Sequence, residues 1–478
     1  MRTIFWFRKD LRLTDNIGLT EALKDSSEVI PVFIIEPAWI NSPITGSGMV
    51  AHLFANLREL SQQLQNLNSR LIIRFGEPSI ELLKIARLVN AKNLYFNRNY
   101  EPLEVSRDEM VTSELKKTDL NVKSFKDLVI FEDEELVVNS SRGLVKLTRY
   151  KERWLKKLRD NPPVVHLLSE REKKKFIDYD WPVFTISDPK PKNFGHDYDN
   201  IIPPSGEINA RKLLDSVDFN HKIATFPMKL ADDPWNFVRW GNISIRELLS
   251  LIITKIGSDF SIQKIPIPIR ELLEKIIEHD YYSILYFYTF ELESSITESE
   301  WSQSYSKYLS WCNGSTGIPL IDAPMRQLNQ TGWMPPSLRK LTADFLIRGL
   351  NINYSWGERF FLHKMLDTDP AQNSGFWKEI AFGVTPSIIF NWKIIQEKKI
   401  KKINLSSDYL CEFITVLNEV PEEFRFQPEQ MPISLQKKTG CIIGNDYPEP
   451  ILSRPVTVLK IKPIGSPFGV GDNENHQN

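Results

Sequence analysis

The stretch Thr3–Glu36, "TIFWFRKDLRLTDNIGLTEALKDSSEVIPVFIIE", decides how the first part of the chain folds. "TIFWF" and "VIPVFIIE" are apolar runs of strand length, and "NIGLTEALKDS" between them spaces its apolar residues as a helix does. A strand, a helix and a second strand in this order predict a parallel sheet with a right-handed crossover. The segment "WFRKDLRLTDN" places Arg8, Lys9 and Arg12 at the edge where such sheets bind ligands. A plain loop with an Asx cap for the next helix is the alternative.

The alternation of strands and helices continues to about residue 131, and a different organisation follows. "RLIIRFG", "NLYFN" and "VKSFKDLVIF" predict further strands, which completes an α/β domain over 1–131 with a parallel, Rossmann-like sheet. Over 132–208 charged and Pro-rich segments predict a long linker with one short helix near "RYKERWLKKL". Residues 209–450 show 3.6-residue periodicity and predict a mostly α-helical domain, and 451–478 predict a polar tail.

The composition narrows the class of protein. A net charge of −1 provides no overall basic field for nucleic acid, although 60 Lys and Arg leave room for a local basic face. The three cysteines match no zinc spacing and no disulfide framework, so we predict no metal site. No apolar run reaches the roughly 18 residues of a membrane span, so we predict a cytoplasmic protein, which we expect to be a monomer. The chain has no G-x-G-x-x-G motif and no P-loop, which argues against an ordinary dinucleotide or NTP enzyme.

The segment Asp367–Trp377, "DTDPAQNSGFW", carries unusual side chains for a helix that only packs. Two carboxylates, one amide and one indole lie within about three helical turns of each other. Upstream, Arg339 lies among apolar residues at helical spacing, so we predict that it is interior and needs a carboxylate partner. Asp367 and Asp369 are the obvious suppliers. A structural ion pair at a helix crossing is the alternative.

Several motifs together carry a resemblance to a known family. "WFRKDLRLTDN", "TGIPLIDAPMRQLNQTGWM" and "GERFFLHKMLDTDPAQN" occur in this order, with "SRLIIRFGEP", "NYEPLEVSRDE" and "YPEPI" at collinear positions. At this length and in this order they resemble the photolyase/cryptochrome family across almost the whole chain. The resemblance implies an antenna-type α/β domain and a helical domain that encloses FAD. It also implies an antenna chromophore, a folate or a deazaflavin, in a region lined by Tyr100 and Glu101 in some members, without choosing between the two.

The resemblance assigns positions around the flavin ring. Asp367 is similar to the family's acid that pairs with an Arg over the flavin, and Arg339 is similar to that Arg. Asp369 matches the acid near the pyrimidine edge of the ring, and Asn373 matches the residue that faces N5. An amide at that place can donate or accept a hydrogen bond without titrating, which is the pattern of the repair enzymes.

The same resemblance assigns a chain of aromatic residues to electron transfer. Trp377 matches its first member and Trp301 its distal member, while the middle position falls on Tyr354 instead of a Trp. A Tyr is a poorer relay because it loses a proton when it is oxidised. Trp356 lies two residues further on, but its side chain points about 200° away around the helix. Core packing is the alternative for each of these residues.

The segment expected to meet the FAD phosphates departs from the family's pattern. A hydroxyl-rich segment is usual, but this chain has "ADDPWNFVRWG", so Asp232 and Asp233 place negative charge near a diphosphate. Arg239 and Lys229 are the cations that could offset that charge, and Phe219 stands where a Tyr is usual. We therefore expect weaker FAD binding, another path for the phosphates or a different ligand.

The positions expected to hold a DNA lesion have changed as well. Repair enzymes offer a Glu and a Trp one helical turn apart, to hold and stack a flipped thymine dimer. Here Lys275 falls at the Glu position and Glu278 at the Trp position. Met334 is retained after Trp333, and we expect both to contact the substrate.

Three functions follow from this combination. The first, which we favour, is a light-driven deoxyribodipyrimidine photolyase. This carbon–carbon lyase would repair pyrimidine dimers in damaged duplex DNA by electron transfer from reduced FAD. The second is a cryptochrome-like blue-light photoreceptor that does not repair DNA, and the third is a degenerate relative that has lost FAD. The absorption spectrum of the purified protein separates the third function from the other two.

Overall fold

The first domain is built on a five-stranded parallel sheet with the strand order β3-β2-β1-β4-β5. The strands are β1 Arg2–Phe7, β2 Glu28–Ile35, β3 Ile72–Phe75, β4 Asn93–Asn97 and β5 Asn121–Phe125. The computed structural model describes residues 1–136, 139–140, 143–177, 185–216, 233–256, 265–289, 301–382 and 405–452. In the central strand Ile4 is in register with Ile30 of β2 and Leu94 of β4. The strand order reverses between β1 and β4, so the loops after these strands flank the usual ligand crevice.

Four helices of this domain lie where the periodicity predicted them, and one short additional helix was not predicted. In chain order they are α1 Ile17–Asp25, the additional α2 Pro37–Ile40, α3 Ser47–Asn66, α4 Pro78–Val89 and α5 Pro102–Lys116. Asn16 caps α1 by accepting a hydrogen bond from the Leu19 N–H at 3.1 Å, so the Asx cap is confirmed. The last predicted strand was too long, because it ends at Phe125. The N–H groups of Ile130 and Phe131 instead donate to the Asp280 carboxylate of the helical domain.

The rest of the described chain is mainly helical, as predicted. After α6 Asp133–Leu136 and a small hairpin of β6 Asn139–Ser140 and β7 Gly143–Leu144, the predicted linker helix is confirmed as α7 Leu147–Asp160. Its Trp154 and Leu158 are buried in one apolar core with residues of the helical domain. The next helices are α8 Glu170–Lys173, α9 Gly206–Ser216, α10 Pro234–Val238, α11 Ile245–Ile256 and α12 Ile267–Thr289. The last are α13 Tyr305–Asn313, α14 Pro319–Thr331, α15 Pro336–Asp344, α16 Tyr354–Lys364, α17 Pro370–Phe382, α18 Ser407–Phe413 and α19 Ile433–Thr439.

Buried ion pairs join the α/β domain to the helical domain. The Asp127 carboxylate forms ion pairs with Arg12 at 2.7 Å and with Arg246 at 2.6 Å. Arg246 forms a second ion pair with Asp15 at 3.0 Å. These charges compensate one another away from water, where an unpaired one would be costly. The joint therefore holds the loop after β1 against the start of α11.

A close backbone approach at Gly241 completes this joint. Gly241 has a φ of +67°, and a Cβ there would collide with the backbone of Lys9 and Asp10. Because Gly241 has no side chain, the two backbones can approach closely, and Arg12 Nη1 donates a hydrogen bond to the Gly241 carbonyl at 3.1 Å. The contact brings Lys9 of the α/β domain next to the helical domain.

Among the described helices, none combines the length and the apolar character that a membrane crossing requires.

Candidate functional site

A cavity of about 310 Å³ lies between the two domains and is lined by residues of both. Its walls come from α10, α12, α15 and α17 and from the loops after β1 and β4. Apolar side chains such as Val238, Phe361 and Phe376 alternate there with charged ones. The structure brings seven of the predicted site residues to this cavity: Arg239, Lys275, Glu278, Arg339, Asp367, Asp369 and Asn373.

Arg339 and Asp367 form the predicted ion pair. Arg339 Nη2 lies 2.7 Å from Asp367 Oδ2, and 2% of the Asp367 side chain is exposed. Arg339 projects from the first turn of α15 and also donates through Nε to the Met334 carbonyl at 2.7 Å. The loop that carries Asp367 is held by the Leu366 N–H, which donates to the Gly332 carbonyl at 2.9 Å. Backbone hydrogen bonds therefore hold both members of the ion pair in place.

Asp369 links a second cation to the start of α17. One oxygen accepts hydrogen bonds from the backbone N–H groups of Ala371 and Gln372 at 2.9 and 3.1 Å, and the other lies 3.3 Å from Arg239 Nη1. Burial opposes ionisation of Asp369, but the charges of Arg239 and Lys9 and the N–H donors outweigh it and lower its pKa. Asp369 is therefore an ionised acceptor on the cavity wall.

Asn373 stands one turn further along α17. Its side-chain nitrogen donates to the Glu358 carbonyl at 2.9 Å, which ties α17 to α16 and fixes the amide group. Asn373 is buried and lines the cavity. We call Arg339, Asp367, Arg239, Asp369 and Asn373 together the ring wall.

The predicted aromatic chain lies behind the ring wall. Trp377 is fully buried and packs edge-to-face on Phe361, a cavity-lining residue, with 5.1 Å between ring centroids. Trp301 and Tyr354 are neighbours at 6.4 Å. Tyr354 lies one helical turn before Gly357 on α16, and the Trp377 ring packs against Gly357, so the two aromatic residues meet adjacent turns of this helix. Their role in electron transfer stays a prediction.

Another part of the lining is charged and more exposed to solvent. Glu278 lies 3.4 Å from Lys151, and Glu379 lies 3.5 Å from Lys340 and accepts a hydrogen bond from the Tyr282 hydroxyl at 2.9 Å. Their side chains are 32% and 48% exposed. We call Glu278 and Glu379 the mouth of the cavity.

Comparisons with known proteins agree with this architecture. Residues 3–167 match the family model for DNA photolyase, and residues 272–457 match the model for the FAD binding domain of DNA photolyase. A deoxyribodipyrimidine photo-lyase of Buchnera aphidicola is 28% identical over 476 residues, covering 95% of this chain and 94% of the relative. A bacterial class III photolyase structure from Agrobacterium tumefaciens has a TM-score of 0.78 at 26% identity, covering 95% of this chain and 94% of that one. The chain belongs to the photolyase/cryptochrome family.

A cryptochrome structure from Synechocystis shows the same fold. It has a TM-score of 0.79 at 21% identity and covers 94% of this chain and 96% of that one. The predicted family and the predicted two-domain architecture are both confirmed. The ring-wall residues Arg339, Asp367, Asp369 and Asn373 lie inside the matched FAD-binding range, whereas Arg239 lies between the two matched ranges.

The photolyase-type cavity fits a flavin at the ring wall. Within the described part of the chain, Asp367 Oδ1, Arg239 Nε and Trp235 Nε1 are buried on lining residues and have no hydrogen-bond partner. Buried polar atoms without partners indicate that a polar ligand completes the site. A flavin offers a flat apolar ring for the aromatic lining and a polar edge for these groups. Arg339, Asp369 and Asn373 are the residues that would hold it.

The segment expected near the phosphates is partly described. Phe219, Lys229 and Asp232 lie outside the described residues. Asp233 is buried and caps α10 by accepting a hydrogen bond from the Trp235 N–H at 3.0 Å. Its carboxylate is thus used within the protein and does not face the cavity as a bare charge.

Two predicted substrate residues are not where we expected them. Trp333 is 2% exposed and Met334 is fully buried, and neither is among the described residues that line the cavity. The chain turns inward there, because Pro335 and Pro336 start α15 and the Met334 sulfur packs beside the Thr342 hydroxyl. Met334 supports Arg339 through its carbonyl, so direct contact of these side chains with substrate is not supported.

The α/β domain contributes Lys9, which the sequence placed at the ligand edge of the sheet, and Glu101, which the resemblance placed elsewhere. Glu101, which we had associated with an antenna, lines this cavity and pairs with Lys9, which is also 3.0 Å from Glu104. Burial and the neighbouring Glu104 raise the pKa of Glu101 to about 7. Both residues follow strands at the carboxyl edge of the sheet, and that position was the signal available in the sequence.

Proposed function

We propose that this protein is a DNA photolyase that uses light and reduced FAD to repair pyrimidine dimers. One observation carries the proposal: the ring wall places two ion pairs and a fixed amide on one cavity of a chain with the family's FAD-binding domain. The proteins most similar in sequence include several named deoxyribodipyrimidine photo-lyase, which supports the same reaction class.

The ring-wall residues have distinct tasks in this proposal. Asp367 neutralises and orients the Arg339 guanidinium in a largely buried place. Asp369, held ionised by Arg239, accepts hydrogen bonds from N–H groups at the polar edge of the ring. Asn373 offers a neighbour that does not titrate, so it neither supplies nor removes a proton.

The photochemistry belongs to the cofactor. When bound and reduced, FAD would donate one electron to the dimer on absorbing light and regain it after the two cyclobutane carbon–carbon bonds break. Trp377, Tyr354 and Trp301 are the residues we propose for restoring the reduced state of the cofactor. Two ring contacts support this role: Trp301 neighbours Tyr354, and Trp377 packs on Phe361 of the cavity wall.

The substrate we propose is damaged duplex DNA with the dimer flipped into the mouth. Glu278 and Glu379 offer negative charge and hydrogen-bond acceptors there, where a stacking indole would offer a flat surface. Phosphate contacts from surface Lys and Arg should make the binding salt-sensitive.

The test is repair of an oligonucleotide that carries one thymine dimer, by protein containing chemically reduced FAD. We expect restoration under blue light and none in the dark. The matched control is the Asp369→Asn variant, which we expect to bind flavin less well and to repair less. Equal restoration in the light and in the dark, or none in either, would refute the proposal.

A second candidate is a cryptochrome-like photoreceptor, and the charged mouth favours it. With two carboxylates at the lesion side, the flavin photochemistry of the ring wall can persist without dimer binding. The measurement is photoreduction of oxidised FAD in wild-type protein and in Trp377→Phe. Photoreduction that Trp377→Phe slows, without dimer repair, would establish the photoreceptor. Colourless protein that cannot be reconstituted with FAD would support a relative that has lost its cofactor.

Further features of the protein are proposed on the sequence alone. They are the domain division at 1–131, 132–208, 209–450 and 451–478, a cytoplasmic location and a monomeric state. A second, light-harvesting chromophore is proposed as well, with folate and deazaflavin both open. Size-exclusion chromatography with light scattering and extraction of bound chromophores would test the last two features.

A further inference from the structure

Lys275 occupies an unusual position on the cavity wall. Its ammonium nitrogen lies 3.9 Å from Asp233 Oδ1 and 4.7 Å from the centroid of the Trp235 ring. The side chain lines the cavity and is 41% exposed, so a ligand can still reach it. Two residues that depart from the family's pattern, Lys275 and Asp233, are therefore neighbours in space although 41 residues separate them in the chain.

The two changes compensate each other electrostatically. Asp233 is buried, and its carboxylate already caps α10. A second negative group would be repelled there if no cation stood nearby. Lys275 provides that cation, and the indole face of Trp235 stabilises the ammonium from a second side.

Lys275 also has capacity for a further anion. An ammonium group has three donors, and 3.9 Å to Asp233 is too long for a hydrogen bond. Partial burial and the nearby positive charge of Arg339 lower the pKa of Lys275, and a further anion at this place would oppose that shift.

Three other cations of the cavity lining are already paired with carboxylates at shorter distances. Arg339 is 2.7 Å from Asp367, Arg239 is 3.3 Å from Asp369, and Lys9 contacts both Glu101 and Glu104. A flavin bound at the ring wall brings one strongly anionic part, the diphosphate of FAD. Among the described cations of the lining, Lys275 is the one best placed to receive that charge.

We propose that Lys275 binds the diphosphate of FAD and offsets the negative charge of Asp233, which makes it a cofactor-positioning residue instead of a lesion-binding one. The inference rests on flavin binding as proposed above, but not on DNA repair. It explains how a segment with an acid in place of hydroxyl groups can still border an anionic cofactor.

The test is equilibrium binding of FAD and of riboflavin to flavin-free full-length protein, followed by quenching of flavin fluorescence. Riboflavin has the same ring but no phosphate, so the ratio of the two affinities isolates the contribution of the tail. For Lys275→Met we expect FAD affinity to fall by about tenfold or more, with riboflavin affinity changed by less than about twofold. Lys275→Arg keeps the charge and should retain most of the FAD affinity.

Two further variants make the test specific. Lys340→Met removes another lysine of the same cavity, one that is 57% exposed and pairs with Glu379, and should leave the affinity ratio unchanged. Asp233→Asn keeps a helix-capping side chain but removes its charge, so FAD affinity should rise.

The possible failures are distinguishable. An unchanged ratio in Lys275→Met, or equal losses for FAD and riboflavin, would overturn the role of Lys275 while leaving flavin binding intact. Loss of affinity for dimer-containing DNA without loss of FAD affinity would return Lys275 to the substrate side. Wild-type protein that binds riboflavin and FAD equally well would also contradict the inference, and wild-type protein that binds neither would overturn flavin binding itself.

Discussion

The ring wall and the mouth belong to one cavity but hold their charges in different ways. On the ring wall, Asp367 is 2% exposed and lies 2.7 Å from Arg339. At the mouth, Glu278 and Glu379 are 32% and 48% exposed, and their cations lie 3.4 and 3.5 Å away. The first arrangement is fixed before a ligand arrives, whereas the second can rearrange around one.

This difference separates two requirements of a light-driven flavoprotein. A flavin site must hold one geometry through many reaction cycles, and buried ion pairs provide that rigidity. Removal of either partner of such a pair, however, strongly destabilises the folded protein. A surface that meets varied or large substrates tolerates change, because exposed ion pairs contribute little to stability. Mutations should therefore act on folding at the ring wall and on ligand choice at the mouth.

The largest expected effect is at the Arg339–Asp367 pair. Asp367→Ala leaves the buried Arg339 guanidinium without its carboxylate, and we expect the free energy of unfolding to fall by about 3–5 kcal/mol. Urea unfolding of flavin-free protein measures the change. Asp408→Ala is the matched control, because Asp408 is 87% exposed and 3.2 Å from Arg425, and it should cost less than about 1 kcal/mol. Equal losses in the two variants would show that the ring wall is not specially dependent on pairing.

A second effect comes from a histidine behind the ring wall. His52 is 1% exposed, and its Nδ1 lies 3.2 Å from the carbonyl oxygen of Leu366, next to Asp367. Burial lowers its pKa from 6.5 to about 4. The unfolded chain therefore binds a proton at a pH where the folded one does not, so stability is full above the unfolded pKa and is lost as pH falls towards 4.

The measurement is the free energy of unfolding at about pH 7.5 and about pH 5, for wild type and His52→Gln. We expect the wild type to lose of order 2 kcal/mol more than the variant over this interval. Carboxylates elsewhere titrate in both proteins, so the difference reports His52. Parallel losses would mean that His52 is protonated in the folded state as readily as in the unfolded one.

A third effect tests the packing that supports the aromatic chain. In Gly357→Ala the new methyl group would collide with the Trp377 ring and with Leu346. The gain in helix propensity, about 1 kcal/mol, should be outweighed by overpacking, with a net loss of about 1–2 kcal/mol in unfolding free energy. Trp377→Leu should relieve that loss in the double variant, which a double-mutant cycle measures. Additive losses of the two single variants in the double variant would show that the destabilisation by Gly357→Ala does not come from its collision with Trp377.

The sequence was sufficient for features that depend on local pattern or on one strong requirement. Short apolar runs predicted the strands, and Arg339 among apolar neighbours required an acid, which Asp367 supplies. The same reasoning failed where the tertiary fold decides. Nothing local in the chain indicates that Lys275 meets Asp233, because α10 and α12 are brought together only by the packed helical domain.

The burial of Trp333 and Met334 was missed for a related reason. The resemblance placed them near the substrate, but both are buried directly before Pro335 and Pro336, where α15 begins. The contribution of Lys9 and Glu101 depends on how the α/β domain docks through Asp127 and Gly241, which no single segment encodes. Residues 168–271 also lie between the two matched family ranges, so the resemblance gives least guidance at Asp233.

The smallest expected effect is at the mouth, and it decides whether the mouth still binds a flipped base. Glu278→Trp replaces a carboxylate with a flat aromatic surface on the same helix face, and the lost ion pair to Lys151 should barely affect folding. Stacking on a base contributes about 1–3 kcal/mol, so affinity for dimer-containing DNA should rise about tenfold. The exposed Glu271 lies two turns earlier on α12, and Glu271→Trp controls for a general aromatic effect. A gain in Glu278→Trp alone, with flavin binding unchanged, would mean that the ring wall and the mouth have diverged independently. No gain in either variant would mean that Glu278 does not face a bound dimer, and that the mouth serves a ligand other than damaged DNA.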